Sequence, residues 1–154
     1  MPVTLTIETP LQDDVRDLVK RLNAHLNPLS PPQFQFQMTV EQMADAATTL
    51  FVARNQAGEA VGMGALKVAD AEMGEVKRMF TLPAIRGQRV GSALLQAIEQ
   101  LARDKGLSVL VLETGAEASM PEAHRLYQRG GFSPRGPFLD YPESPWSAFY
   151  EKRL

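Results

Sequence analysis

The most constraining stretch of this chain is residues 75–112, where a strand pattern and a continuous apolar run are joined by one amphipathic helix. Glu75 to Thr81 reads as a strand that stops at Leu82-Pro83. From Gln88 to Lys105 the apolar residues Val90, Leu94, Ile98 and Leu101 recur on one helical stripe, and Gly106 closes the helix. Leu107 to Leu112 is nearly unbroken apolar sequence, as expected of a central strand covered on both faces. Strand, helix and strand in this order predict a parallel β-α-β crossover inside an α/β sheet.

The rest of the chain extends that sheet. Val3, Leu5 and Ile7 alternate with threonines as a short strand. Thr9-Pro10-Leu11-Gln12 predicts a helix start, with Thr9 as cap, Pro10 at the first helical position and Gln12 completing a capping box. Leu11, Val15, Leu18, Leu22 and Leu26 carry the helix to Asn27-Pro28, and the proline-rich Pro28 to Phe36 follows as a loop. Val40 to Ala47 is a short helix, Thr49 to Arg54 a strand, and Ala60 to Ala69 its hairpin partner across the turn Asn55 to Gly58. Ser119-Met120-Pro121-Glu122 reads as a capping box opening a helix that stops at Gly130-Gly131. Phe132 and Ser147 to Arg153 supply the last strands. The expected architecture is a mixed central sheet with antiparallel N-terminal strands, a parallel fourth and fifth strand, and flanking helices. At 154 residues and 44% hydrophobic content, residues 1–154 are expected to form one domain with a sizeable core.

Composition removes several function classes. Sixteen Lys plus Arg against eighteen Asp plus Glu give a net charge of -2, so no global positive field draws nucleic acid. With no cysteine, the chain has no disulfide framework, thiolate metal site or Cys nucleophile. No apolar run approaches the roughly 20 residues of a membrane helix, and Met1-Pro2-Val3 starts no signal peptide, so a cytoplasmic location is expected, with no membrane partner. His25 and His124 stand singly and no carboxylate cluster accompanies them, so no metal is expected.

One local anomaly points to a ligand. Between Glu75 and Glu99 there is no acidic residue, while Lys77, Arg78, Arg86 and Arg89 give the window a charge of +4. Arg86 and Arg89 lie at the amino end of the long helix, where the macrodipole disfavours cations by a few tenths to about 1 kcal/mol. Gly87 and Gly91 let backbone N-H groups approach an anion closely, and a pyrophosphate suits such a strand-loop-helix junction. The plainer alternative is a set of solvated arginines beside glycines that merely turn the chain. A P-loop motif is absent, a Rossmann fingerprint is incomplete, and Gly62-Met63-Gly64 lies inside a strand candidate.

The segment Arg86-Gly87-Gln88-Arg89-Val90-Gly91 resembles the signature [QR]-x-x-G-x-[GA] of the GNAT N-acetyltransferase family, with Arg89 where the family usually has glycine. Leu112-Glu113-Thr114-Gly115, Pro121-Glu122-Ala123, Leu126-Tyr127, Gly131-Phe132 and the stretch Tyr141 to Lys152 follow in the order of one bacterial branch of that family. The resemblance is dense from Glu75 onward and architectural before it. It implies an acyl-CoA N-acyltransferase fold with acetyl-CoA as cosubstrate, held by Met79, Phe80 and Thr81 and by the run Arg86, Gly87, Gln88, Arg89, Val90, Gly91 and Ser92. Met120 stands where many relatives have a polar residue on the cofactor.

The same resemblance implies N-acetyl transfer to a primary amine of a small molecule or peptide, by direct attack in a ternary complex. The absent cysteine agrees, since no acyl-enzyme is required. Tyr127 occupies the position of the family's general acid and also the cofactor site; read from its own stripe with Ala123 and Leu126 it is a buried core tyrosine. Glu113 at the end of the central strand and Glu75, which shares a strand face with Lys77, Met79 and Thr81 by period two, are rival bases. Both also suit structural pairing with Lys77, Arg78, Lys152 or Arg153. Phe34, Phe36, Phe138 and Tyr141 on the two proline-rich loops are candidates for the acceptor pocket or for lid packing. A non-catalytic CoA-binding or regulatory domain and a nucleotide-binding protein stand as the competing classes. Exposed last strands leave homodimer pairing open.

Overall fold

A computed structural model describes residues 2–154. Seven strands form one sheet in the order β1-β2-β3-β4-β5-β7-β6. They are β1 (Thr4–Ile7), β2 (Thr48–Arg54), β3 (Ala60–Val68), β4 (Met73–Thr81), β5 (Val109–Gly115), β6 (Ser133–Arg135) and β7 (Ser147–Arg153). All neighbours are antiparallel except β4 and β5, the parallel pair joined through a helix. The helices are α1 (Asp13–Leu26), α2 (Val40–Met43), α3 (Val90–Asp104) and α4 (Pro121–Arg129).

Alternation along the strands divides the core between the two faces. Leu50, Val52 and Met63 pack with Val15, Leu18 and Leu22 of α1 and Met43 of α2. Phe51, Leu66, Leu110 and Leu112 pack with Leu94, Ile98 and Ala102 of α3. Each fully buried Leu, Ile or Met contributes about 1.5–3 kcal/mol, so the two apolar stripes hold the helices to the sheet.

Several boundaries differ from the sequence reading for local reasons. α1 starts at Asp13, because Thr9 closes a turn of its own, accepting from the Leu11 N-H at 3.1 Å, and Gln12 is extended. Asp13 and Asp14 then complement the helix dipole, and Leu11 is exposed instead of lying on the buried stripe. The box at Ser119 does not form either. Met120 is the N-cap of α4, Pro121 takes the first turn, and no side chain caps it. The capping box that does form is at α2, where Thr39 and Gln42 bond reciprocally, and that helix ends at Met43. β5 begins at Val109 and runs on to Gly115, and the stretch expected as a loop from Pro28 to Phe36 carries two 3-10 turns, Asn27–Leu29, which starts one residue before it, and Pro32–Phe34.

Two irregularities in β4 create the site. Opposite the single residue Gly64, β4 spends two residues, Arg78 and Met79, between the pairs Ala65↔Lys77 and Met63↔Phe80. This β-bulge, with Arg78 at φ 54°, breaks the period of two. Glu75 and Lys77 therefore lie on the α1 face, whereas Met79 and Thr81 cross to the α3 face, so the four do not share one side. A Cβ on Gly64 would stand 2.5 Å from Met79 Sδ and 3.1 Å from Ile98 Cδ1, so glycine is required for α3 to close over the bulge. Secondly, β4 pairs with β5 only through Met73, Gly74 and Glu75, while β5 continues along β7 to Gly115. Beyond Glu75 the two parallel strands part, leaving one edge of β4 without a strand partner.

Candidate active site

The gap between β4 and β5 opens into two adjoining cavities. The larger, about 870 Å³, runs along Met79, Phe80 and Thr81 of β4, past Arg86, Gly87 and the first turn of α3, to one face of α4. The smaller, about 120 Å³, lies between Phe34, Phe36 and Trp146 and includes Lys77, Arg78 and Glu113. Met79, Met120 and Tyr127 border both.

The amino end of α3 is built for an anion. The first backbone N-H groups of a helix lack intrahelical acceptors. Here no side chain caps them and no acidic residue stands in the first turn. Arg89 is the N-cap at φ 63°, and Gly87 lies at φ 89°, both left-handed. The glycine usual to the family at position 89 thus meets a backbone requirement, which arginine satisfies at a cost of about 1–2 kcal/mol. Arg86, Arg89, Arg125 and Arg129 line the large cleft with Glu122 as the sole acidic side chain among its described lining residues. A chain of net charge -2 has therefore gathered positive charge around orphan donors, a donor set that fits a diphosphate. Arg86 also donates to the Thr81 carbonyl at 3.1 Å and lies 6.0 Å from the centre of the Phe80 ring.

The structure gathers Met79, Phe80, Thr81, Arg86, Gly87, Arg89, Val90, Gly91, Ser92 and Tyr127 around this cleft, while Gln88 is exposed and does not line it. Arg125, Arg129, Leu22 and His25 also line it. The first two follow from the helical spacing of Arg125 and Arg129, one turn apart on the helix that carries Tyr127. Leu22 and His25 depend on the packing of α1, for which no local motif exists.

Tyr127 is 7% exposed, and its hydroxyl makes no hydrogen bond among the described residues. Burial, followed by the nearby Glu113 charge, raises its phenol well above the ordinary value, so it remains protonated at neutral pH. Burial likewise raises the Glu113 carboxyl; Lys77 opposes the rise and Glu75 adds to it.

Glu75 is in different company. It is 4% exposed, accepts the Tyr141 hydroxyl at 2.5 Å, and stands 3.3 Å from Lys77 Nζ. Lys77 in turn donates to Tyr141 Oη at 2.8 Å, closing a three-membered network. Burial and the Glu75 carboxylate push the Tyr141 phenol up. Phe34 and Phe36 face the small pocket, but Phe138 is buried with Val111 and Phe149 and lines neither cavity. Tyr141 lies behind Phe36, edge to face at 5.0 Å, and supports that wall. Trp146, Gln35, Gln37 and Arg78 line the pocket without a sequence motif to announce them. His124 is a satisfied core residue, bridging Tyr150 Oη and the Gly115 carbonyl at 2.7 Å each.

Among the described residues no helix is long and apolar enough to cross a membrane, and no group of three metal-ligating side chains occurs. Comparison with known proteins identifies the family to which this fold and cleft belong. The model of the acetyltransferase (GNAT) family matches residues 14–132. IAA acetyltransferase of Azospirillum brasilense is 41% identical over 99% of this chain and 98% of its own length. A Klebsiella pneumoniae structure assigned as an acyl-CoA N-acyltransferase superposes with a TM-score of 0.83 at 33% identity, covering 99% of this chain and 97% of that one. The PaiA N-acetyltransferase of Thermoplasma acidophilum, solved with coenzyme A, shares the fold over the whole of both chains, with a TM-score of 0.77 at 14% identity. The chain belongs to the GNAT acetyltransferase family.

Proposed function

We propose that the protein transfers the acetyl group of acetyl-CoA to the amine of a small acceptor held in the pocket between Phe34, Phe36 and Trp146. The observation that carries this reading is the junction of the two cavities at Met79 and Tyr127, which lets a coenzyme in one meet an acceptor in the other. Acetyl-CoA, when bound, supplies a thioester carbonyl and a thiol leaving group.

The chain's own groups do the rest. Backbone N-H groups of Val90, Gly91 and Ser92, with Arg86 and Arg89, grip the diphosphate. The unpartnered edge of β4 from Met79 to Thr81 offers main-chain groups to the pantetheine arm and an N-H to the developing oxyanion. Tyr127, protonated and free of internal hydrogen bonds, gives its proton to the departing sulfur. Glu113 accepts the amine proton, directly or through water. The Glu75 carboxylate is engaged by Tyr141 and Lys77 and shapes the pocket wall instead. Proximity of the two substrates supplies much of the rate, and no covalent enzyme intermediate is needed.

The test is calorimetry with acetyl-CoA, followed by a thiol-release assay over a panel of amines. Binding in the micromolar range with amine-dependent release of CoA is expected. Absence of heat at millimolar acetyl-CoA overturns the reading, and binding without release over the whole panel replaces it with a CoA-binding domain.

A further inference from the structure

Arg78 is a buried cation whose partner the protein itself does not supply. It is 8% exposed, yet it forms no ion pair among the described residues. One guanidinium nitrogen donates to Asn23 Oδ1 of α1, and Nε is buried without any partner. Burial alone pulls the group down to about 10, as befits a cation with no carboxylate close enough to offset its lost hydration. Its aim is also a local construction. In a regular strand residue 78 would follow Val76 onto the α3 face; the left-handed bulge turns it toward α1 and the small pocket.

The missing anion is not the coenzyme's diphosphate, because Arg78 lines the small pocket and not the large cleft. Lys77, the other cation there, is already engaged by Glu75 and Tyr141. Resting on the acetyl-transfer reading, we propose that the acceptor is an amino carboxylate with an apolar side chain, whose carboxylate is received by the unpaired guanidinium of Arg78. The planar fork of arginine matches a carboxylate, and Phe34, Phe36 and Trp146 supply the wall for the apolar part. With Arg78 next to Met79 at the junction, the amine is presented toward the thioester.

Thiol release from acetyl-CoA is measured with phenylalanine, methionine and leucine, each against the amine lacking its carboxylate: phenethylamine, 3-(methylthio)propylamine and isopentylamine. The carboxylate-bearing member of at least one pair is expected to exceed its partner in kcat/KM by about 30-fold or more, the usual effect of one buried charge partner. Arg78→Asn, chosen because Asn tolerates positive φ, should bring that ratio close to one while acetyl-CoA affinity is kept. Equal or better turnover of the carboxylate-free amines, or a ratio that survives Arg78→Asn, overturns the proposal and leaves acetyl transfer standing. If none of the six is turned over, calorimetry of 3-phenylpropionate against 3-phenylpropanamide on the CoA-saturated protein decides. Tighter binding of the acid supports the assignment, and equal or absent binding overturns it. That wild-type comparison also decides if the variant fails to fold, whereas absence of acetyl-CoA binding to the wild type is failure of the underlying reading.

Discussion

The coenzyme cleft and the acceptor pocket share a border but are built in opposite ways. The cleft takes its essential groups from one continuous run, Met79 to Ser92, with α4 as the facing wall. The pocket draws Leu22 and Leu26 from α1, Phe34 from a 3-10 turn and Phe36 from the irregular segment after it, Lys77 from β4 and Arg78 from its bulge, Glu113 from β5 and Trp146 from the loop before β7. A site made of neighbours in sequence is specified by local geometry; a site made of distant segments is specified by how the sheet packs. The first can stay constant while the second varies, which is how one fold serves many acceptors.

Mutations that separate the two regions test the contrast. Tyr127→Phe removes the group at their border and should lower kcat by about 10²–10³-fold with acetyl-CoA affinity within about twofold; unchanged turnover in the thiol-release assay removes Tyr127 as the acid. Glu113→Gln should cost about 10–100-fold at neutral pH. Because burial raises the Glu113 carboxyl, the base form is gained as pH rises through a value above the ordinary carboxylate range, and kcat/KM climbs there. The Gln variant should lose that limb and keep only the one due to the amine's own deprotonation, so an unaltered pH profile dismisses Glu113.

Arg86→Ala should raise KM for acetyl-CoA about tenfold, with weaker salt dependence, and leave the acceptor KM alone. A change confined to the acceptor would mean that the two regions are not separable. The smallest effect belongs to Arg89→Gly, which relieves a left-handed arginine at φ 63°. A gain of about 1 kcal/mol, or roughly 2–4 °C in Tm, is expected alongside a two- to threefold rise in KM for acetyl-CoA. No gain in thermal unfolding would show that surrounding contacts already compensate the strain.

The same contrast explains what was legible in the sequence. The β-α-β unit, the hairpin of β2 and β3 and the anion-binding turn before α3 follow from periodicity, glycine placement and charge. The helix start at Thr9 is displaced because a Thr before proline can equally close a turn with its own hydroxyl, as Thr9 does. The box at Ser119 is absent because the Ser119 and Met120 N-H groups both bond the Ala116 carbonyl in a main-chain turn that leaves Met120 as the N-cap. The β4 face was misread more consequentially. A bulge adds one residue and carries no composition of its own, so Met79 and Thr81 cannot be assigned a side without knowing that Gly64 stands opposite. Arg78 looked like one more charge in a basic window, and only its depth and isolation set it apart.

The parting of β4 from β5 after Glu75 bears on inhibition. Since the two chambers meet directly along a border formed by Leu22, Met79, Ser119, Met120 and Tyr127, a single molecule tethering coenzyme A to an acceptor by a short acyl bridge could thread the notch and occupy both. Its second contact would form at an effective concentration near millimolar, without any new surface being recognised.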